Sequence, residues 1–259
     1  MIVAVSMFKD EADIAERTVM HLLSQGVDLI VVADNGSTDL TGEILHGLAE
    51  EGYPLEVIDD PEIGYYQSEK MTKLCHRAMG YGADWVLPFD ADEVWYGAEG
   101  TIADSLADLD ADVVAAAGWD HISTSHDPAG HPFDVMRWRR LHPQSMPKVA
   151  FRPHADMLLG QGNHDVARQM FKRDRYNSTA LQFRHFQWRS LEQFVRKVRN
   201  GKAAYDATDL PETMGVHWRT FGAMSYRQLE QEWEAMGSDP TLVFDPAPVW
   251  RPAQPEAFQ

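Results

Sequence analysis

The sequence predicts an α/β protein with a mainly parallel central sheet flanked by helices. Three observations carry that prediction. Compact apolar runs alternate with segments of helical period over residues 1–118, glycine-containing turns part them, and polar clusters follow several of the runs. Ile2 to Phe8 is the first β-branched run. Asp10 stands where it can cap a helix reaching Ser24, with Ile14, Val19, Leu22 and Leu23 as its apolar positions. Gly26 ends that helix and Leu29 to Ala33 forms a second strand. Asp34-Asn35-Gly36 is a turn, because Asn-Gly readily supplies positive φ. A helix from about Thr38 to Glu50, a short strand from Leu55 to Ile58 and a helix from Gln67 to Met79 follow. Asp84 to Phe89 is the next strand, then a helix near Ile102 to Leu109 and a strand from Val113 to Ala117.

Strands separated by helices imply βαβ units with right-handed crossovers, so the carboxyl ends of the strands share one edge. Ser6 to Asp10, Asp34 to Asp39 and Asp90 to Glu93 therefore converge there. The stretch Leu87 to Glu93 (LPFDADE) closes an apolar run and sets carboxylates at Asp90, Asp92 and Glu93. Two carboxylates one residue apart at a strand end can hold a divalent cation against a phosphorylated substrate. Taken alone, Asp-x-Asp reads equally well as an acidic solvated loop. Three polar clusters on one edge favour an active site.

The chain has 259 residues, 44% of them hydrophobic, enough for one large domain without disulfide staples. Its single cysteine, Cys75, lies in a helical pattern and reads as a packed thiol. With 40 acidic against 23 basic residues the net charge is −17, which argues against a general nucleic-acid binder. A small anionic ligand is still admissible, since local basic groups or a metal can reverse the field in a cleft. No apolar run approaches the length needed to span a bilayer, and MIVAVSMFKDEAD lacks a basic leader; the expectation is a soluble cytoplasmic protein.

The second half is less regular. Six histidines between 119 and 165 (His121, His126, His131, His142, His154 and His164) lack the short paired spacing of a zinc module. Phe133 to Leu141 reads as an exposed strand and Val149 to Phe151 as a short one. Ser190 to Tyr205 is the clearest late helix, its stripe Leu191, Phe194, Val195 and Val198 flanked by Arg196, Lys197 and Arg199. A further helix covers about Ser225 to Met236. The expected organisation is one domain over 1–238, with 1–118 and 119–238 as its halves, and a proline-rich surface tail over 239–259.

Four elements in order resemble glycosyltransferase family 2, whose fold is GT-A: the first strand with Lys9-Asp10-Glu11, the run Ala33 to Asp39 (ADNGSTD), the Asp90-Ala91-Asp92-Glu93 cluster, and Gly162-Asn163-His164-Asp165. His185 to Ser190 (HFQWRS) before a basic helix is similar to a subgroup of that family. The resemblance implies transfer of a sugar from a nucleotide-diphosphate donor to an acceptor hydroxyl, usually with inversion. On that resemblance Ser6, Phe8 and Glu11 at the first-strand terminus, with Asp34 and Asn35, would hold the nucleoside. Asp90 would sit near the ribose, and Asp92 would bind Mg²⁺ or Mn²⁺ bridging the diphosphate, where a hard cation stabilises leaving-group charge without a proton. A uridine diphosphate sugar is the first expectation, from family frequency.

His164 is a candidate further metal ligand, which would favour Mn²⁺, or a neutral histidine bonding backbone in a turn. Asp165 is offered as the general base and equally as a turn carboxylate. The chain lacks the Glu-Asp pair that many members carry before an acceptor-side helix, so Glu93, Asp120 and Asp127 stand as other candidates; Glu93 also suits bracing of the metal loop. Lys73 could face the diphosphate or lie on a solvated face with Lys70 and Arg77. Arg152 is offered as a phosphate or acidic-acceptor contact. A nucleotidyltransferase on a related sheet is a rival, though Ser6-Met7-Phe8-Lys9 has no phosphate-loop glycine. A non-catalytic carbohydrate-binding or assembly protein is another. Oligomeric state, sugar and acceptor are not legible.

Overall fold

The computed structural model describes residues 1–168, 175–246, 250, 251 and 253. In chain order its first half runs β1 (Ile2–Phe8), α1 (Ala15–Ser24), β2 (Leu29–Asp34), α2 (Thr41–Glu50), β3 (Leu55–Asp59), α3 (Gln67–Gly80), β4 (Trp85–Pro88), β5 (Glu93–Gly97) and α4 (Ile102–Leu106). Then come β6 (Val113–Ile122), α5 (Pro132–Val135), β7 (Trp138–Arg139), β8 (Lys148–Phe151), β9 (Met157–Leu159), a short 3-10 turn (Gln161–Asn163), β10 (Val166–Arg168), β11 (Tyr176–Asn177) and β12 (Leu181–His185). The helices α6 (Leu191–Asp206), α7 (Val216–Ala223) and α8 (Tyr226–Gly237) precede a last strand, β13 (Val243–Phe244).

The sheet order is β13-β7-β6-β8-β4-β1-β2-β3. Strands β3, β2, β1 and β4 are mutually parallel, and β8 enters antiparallel between β4 and β6. β12 lies parallel to the second half of β6 and antiparallel to β5, which places His185 opposite Asp120 and Glu93. This is the GT-A architecture expected. The central strands are apolar on both faces because helices cover both. Ala4, Ile30, Val32 and Leu87 pack with α1 and α2 residues such as Val19, Leu22 and Leu45. Val3, Val5, Val31 and Val86 pack with Met71, Leu74 and Cys75 of α3. Cys75 is thus a core thiol, its pKa pushed up by burial.

Four local expectations are corrected. Asp10 is not a helix cap: its φ is 54°, and its carboxylate turns away to accept from Thr38 N at 2.6 Å, so α1 starts at Ala15. β6 continues to Ile122, beyond the expected end at Ala117. Phe133 to Leu141 is not a strand. Pro132 suits the first turn of a helix, His131 accepts from Phe133 N, Phe133 is buried, and only Trp138 and Arg139 pair with β6. The tail is docked where it is described. β13 pairs with β7, Asp245 bonds Arg139 and Arg184, and Trp250 lies under Arg17 and donates to Asp134 at 2.7 Å.

Among the described residues no helix is long and apolar enough to cross a membrane. The late helices pack on one another through Trp188, Phe194, Val198 and Leu229, with Ser190 capping α6 by accepting from Gln193 N.

Candidate active site

The acidic loop is rigid because its own side chains tie it down. Glu93 opens β5 and is fully buried; its Oε2 accepts from Asp90 N at 3.0 Å and from Trp95 Nε1 at 2.9 Å. Lys148, the first residue of β8, inserts between the two carboxylates, bonding Asp90 and standing 3.0 Å from Glu93 Oε1. Burial raises the Glu93 pKa and Lys148 only partly offsets it; burial also opposes the Lys148 charge, but Asp90 and Glu93 outweigh it and hold the ammonium protonated. Asp90 Oδ1 also accepts from Asn163 Nδ2 at 3.0 Å. Asn163 is buried in the left-handed region at φ 59°, and its Oδ1 has no hydrogen-bond partner among the described residues.

Asp92 anchors a second network, formed with α6 and the β12 end. Lys197 Nζ donates to Asp92 Oδ2 at 2.6 Å and to Glu11 Oε1 at 2.5 Å. Arg189 bonds Glu11 on one side and Asp13 at 2.7 and 2.8 Å on the other. His185 Nε2 lies 3.5 Å from Asp92 Oδ1, while its Nδ1 is 2.8 Å from Asp120 Oδ1, which Gln144 also reaches at 2.7 Å. Burial opposes charge on His185, but Asp92 and Asp120 outweigh it and push the imidazole pKa up to about 10. Burial likewise opposes ionisation of Asp92; Lys197, His185 and Arg189 overcome it and hold the carboxyl well below its ordinary range.

The third cluster is the Asp34 turn. Asp34 Oδ1 accepts from Ser37 N at 3.1 Å and Ser37 Oγ at 2.5 Å. Gly42 lets the α2 backbone approach, since a Cβ there would stand 2.8 Å from Asp34 Oδ2. Asn35 is turned to a structural task, with Nδ2 reaching Asp60 Oδ2 at 2.9 Å and Glu62 O at 2.5 Å. Asn200 of α6 donates to Asp10 Oδ2 at 2.5 Å, which ties that helix to the first-strand loop.

The structure therefore brings Glu11, Asp34, Asp90, Asp92 and Glu93 to the carboxyl edge and leaves other expected residues elsewhere. Ser6 and Phe8 have wholly buried side chains, and Phe8 packs edge-on against Phe89 at 6.1 Å. Lys73 is 71% exposed and pairs with Glu69 one turn away. Arg152 stands at the opposite edge of the sheet, stacked 4.5 Å over Trp85 and donating to Ala111 O at 3.1 Å, because β8 runs antiparallel and carries Lys148 to the site instead. His164 spends Nδ1 on Pro147 O at 2.8 Å, and burial lowers its pKa. Asp165 is exposed, its Oδ1 accepting from Val166 N at 2.8 Å. Lys148, Asn163, His185 and Lys197 are the functional candidates that sequence reasoning did not single out. The usable signal was the basic helix directly after HFQWRS.

A divalent cation is the group that the family resemblance implies at Asp92. Among the described residues no three His, Cys, Asp or Glu side chains are grouped to hold a metal. Asp92 Oδ2 faces the Lys197 ammonium, and Oδ1 faces a histidine that the surrounding carboxylates keep protonated. This donor set, as arranged, does not fit Mg²⁺ or Mn²⁺.

A cavity of about 760 Å³ opens along α3 away from the acidic loop, lined by Tyr66, Ser68, Lys73, His76, Gln161 and Met214 among others. Gln67, at the start of α3, ties that helix to the site by reaching Asp90 Oδ1 at 3.5 Å and accepting from Gly162 N at 2.8 Å.

No curated protein matches the chain. Among solved structures, the mannosyltransferase PcManGT from Pyrobaculum calidifontis in complex with GDP-Man and Mn²⁺ is 13% identical, with TM-score 0.46, over 91% of this chain and 73% of that one. S. aureus TarS 1-349 in complex with UDP is 16% identical, with TM-score 0.37, over 86% of this chain and 69% of that one. The sequence model described as Glycosyl transferase family 2 matches residues 3–161, more than half of the chain. With that match, and with the strand ends that carry Asp34, Asp90 and Asp92 gathered on one edge, the chain belongs to glycosyl transferase family 2.

Proposed function

We propose that the protein moves a sugar from a nucleotide-diphosphate donor to an acceptor hydroxyl, with inversion at the anomeric carbon. The observation that carries this reading is the gathering of the polar turn at Asp34 and the charged networks at Asp90 and Asp92, all at parallel strand ends. Asp34 would accept from a base N–H, because both of its described bonds to Ser37 use Oδ1. Asp90, held by Lys148 and Asn163, would accept from a ribose hydroxyl. The acceptor hydroxyl would attack the anomeric carbon as its bond to the diphosphate breaks, and the proton would pass to a carboxylate.

Asp165 suits that last role better than Glu93. Glu93 is enclosed and bound to Lys148, Trp95 and the Asp90 amide, so its part is to brace the loop. Asp120 is committed to His185 and Gln144. Asp165 is exposed two residues from Asn163. A uridine nucleotide remains the first donor to try.

The test is a thermal-shift screen of nucleoside monophosphates, nucleoside diphosphates and nucleotide sugars with wild type, Asp34→Asn and Asp90→Asn. A ligand bound only by the native state raises the melting temperature, by the equivalent of about 2.7 kcal/mol at a hundred times its Kd. One diphosphate and its sugar should stabilise the wild type and lose that effect in both variants. No shift with any nucleotide would refute the proposal.

A further inference from the structure

Lysines sit on both aspartates of the Asp90-Ala91-Asp92 element, Lys148 on Asp90 and Lys197 on Asp92. They differ in one respect. Lys148 is almost fully covered, its side chain 6% exposed, and it serves two carboxylates of the same loop. Lys197 comes from a different element, α6, and 19% of its side chain is exposed. An ammonium carries three N–H donors. Lys197 gives two of them to Asp92 and Glu11 at 2.6 and 2.5 Å. The third has no described partner.

Glu11 also receives Arg189, and Asp92 also faces His185, so two cations besides Lys197 border the same spot. The three cations are held among Glu11, Asp13, Asp92 and Asp120, so their positions are fixed before any ligand arrives. A departing diphosphate gains negative charge as the glycosidic bond breaks, and fixed cations in a partly water-excluded site stabilise such charge without reorganising.

We infer that Lys197 supplies, from the chain itself, the positive charge that meets the donor diphosphate at Asp92, so that donor binding needs no divalent metal. The inference rests on the reading of the protein as a nucleotide-sugar enzyme. Its geometric basis is the Glu11–Lys197–Asp92 bridge, which fills with an ammonium the position where a cation between two carboxylates would otherwise be required. Arg189, held by Glu11 and Asp13, keeps Glu11 in place and therefore orients Lys197.

Calorimetric titration of the whole chain with UDP, GDP, UMP and GMP, in EDTA and in Mn²⁺, tests this directly. Wild type should bind a nucleoside diphosphate equally in both buffers. Lys197→Met should bind that diphosphate roughly 10-fold to 100-fold more weakly in EDTA, the worth of a hydrogen bond to a charged group, and leave the matching monophosphate unchanged. Mn²⁺ should restore part of the loss, because the variant removes the ammonium that bridges Asp92 and Glu11. Lys197→Arg keeps the charge and should retain metal-free binding. Wild-type diphosphate binding that requires Mn²⁺ overturns the inference while leaving the glycosyltransferase reading intact. Equal losses of mono- and diphosphate binding in Lys197→Met overturn it by reducing Lys197 to a structural part. Absence of nucleotide binding in either buffer overturns the proposed function and this inference together.

Discussion

Lys148 shows why a carboxylate pair can be read from sequence more easily than the groups that control it. Asp90 and Asp92 stand in a seven-residue stretch, LPFDADE, whereas their cations arrive 58 and 105 residues later. The sequence offered Arg152, after the short strand Val149 to Phe151, as the basic contact, but the direction of β8 decides which end reaches the site, and that end carries Lys148. Removing the Lys148 charge strands Glu93 and Asp90 in a poorly solvated place. Lys148→Met is expected to cost on the order of 3 kcal/mol, as breaking a buried pair does, and to lower the melting temperature accordingly; Glu93→Gln, which keeps an acceptor for Trp95, should cost less. His185 gives a pH-dependent case. Its pKa rises in the folded chain from an ordinary 6.5 to about 10, so its contribution is fully present below pH 6.5 and is lost as pH rises towards about 10. Urea melts of wild type and His185→Gln should therefore differ most at pH 6 and converge as pH nears 10. A constant gap would refute the imidazolium. Asp165→Asn should cut turnover far more than donor binding; an equal loss of both would remove Asp165 as the base.

Strands buried on both faces and the amphipathic α3 were legible. β1, β2, β4 and α3 fall within about a residue of their expected bounds, because period and apolarity are local signals. Failures came where a long-range contact outvoted local pattern. Asp10 crosses to Thr38 rather than capping α1, and β6 runs on to Ile122 because β12 pairs alongside it. That pairing is what sets His185 beside Asp120. Gly118 makes the close approach possible, since a Cβ there would fall 2.0 Å from the Phe183 ring. Gly118→Ala must push β12 away, and overpacking of this kind costs roughly 1–3 kcal/mol. The expected outcome is a lower melting temperature together with weaker nucleotide binding, measured on the same samples. Unchanged binding would show that the β6–β12 contact does not position the site. α6 acts in the same sense, binding Asp10, Glu11 and Asp92 through Arg196, Asn200 and Lys197.

At the scale of the whole molecule, the parallel half and the irregular half meet at the site, each incomplete without the other. The first half brings the carboxylates, and the second brings Lys148, Asn163, His185, Arg189 and Lys197. Each of those cations is paired with carboxylates, so the site of a chain with net charge −17 is an ion-paired network. The described residues of the 239–259 segment dock on the sheet. β13 joins the sheet, and Asp245 pairs with Arg139 and with the mostly buried Arg184. Removing residues 239–259 should lower stability by on the order of 3 kcal/mol, read by chemical denaturation; an unaltered midpoint would return the tail to a surface role. Glycosyl and nucleotidyl transfer differ in which bond of the donor breaks. Incubating the protein with the nucleotide sugar that stabilises it most, and identifying products by phosphorus and proton NMR, answers that question. Cleavage at the anomeric carbon gives the nucleoside diphosphate and the free or transferred sugar, and Asp92→Asn should abolish it. Products that are instead a nucleoside monophosphate and a sugar phosphate, from cleavage within the diphosphate, would contradict glycosyl transfer.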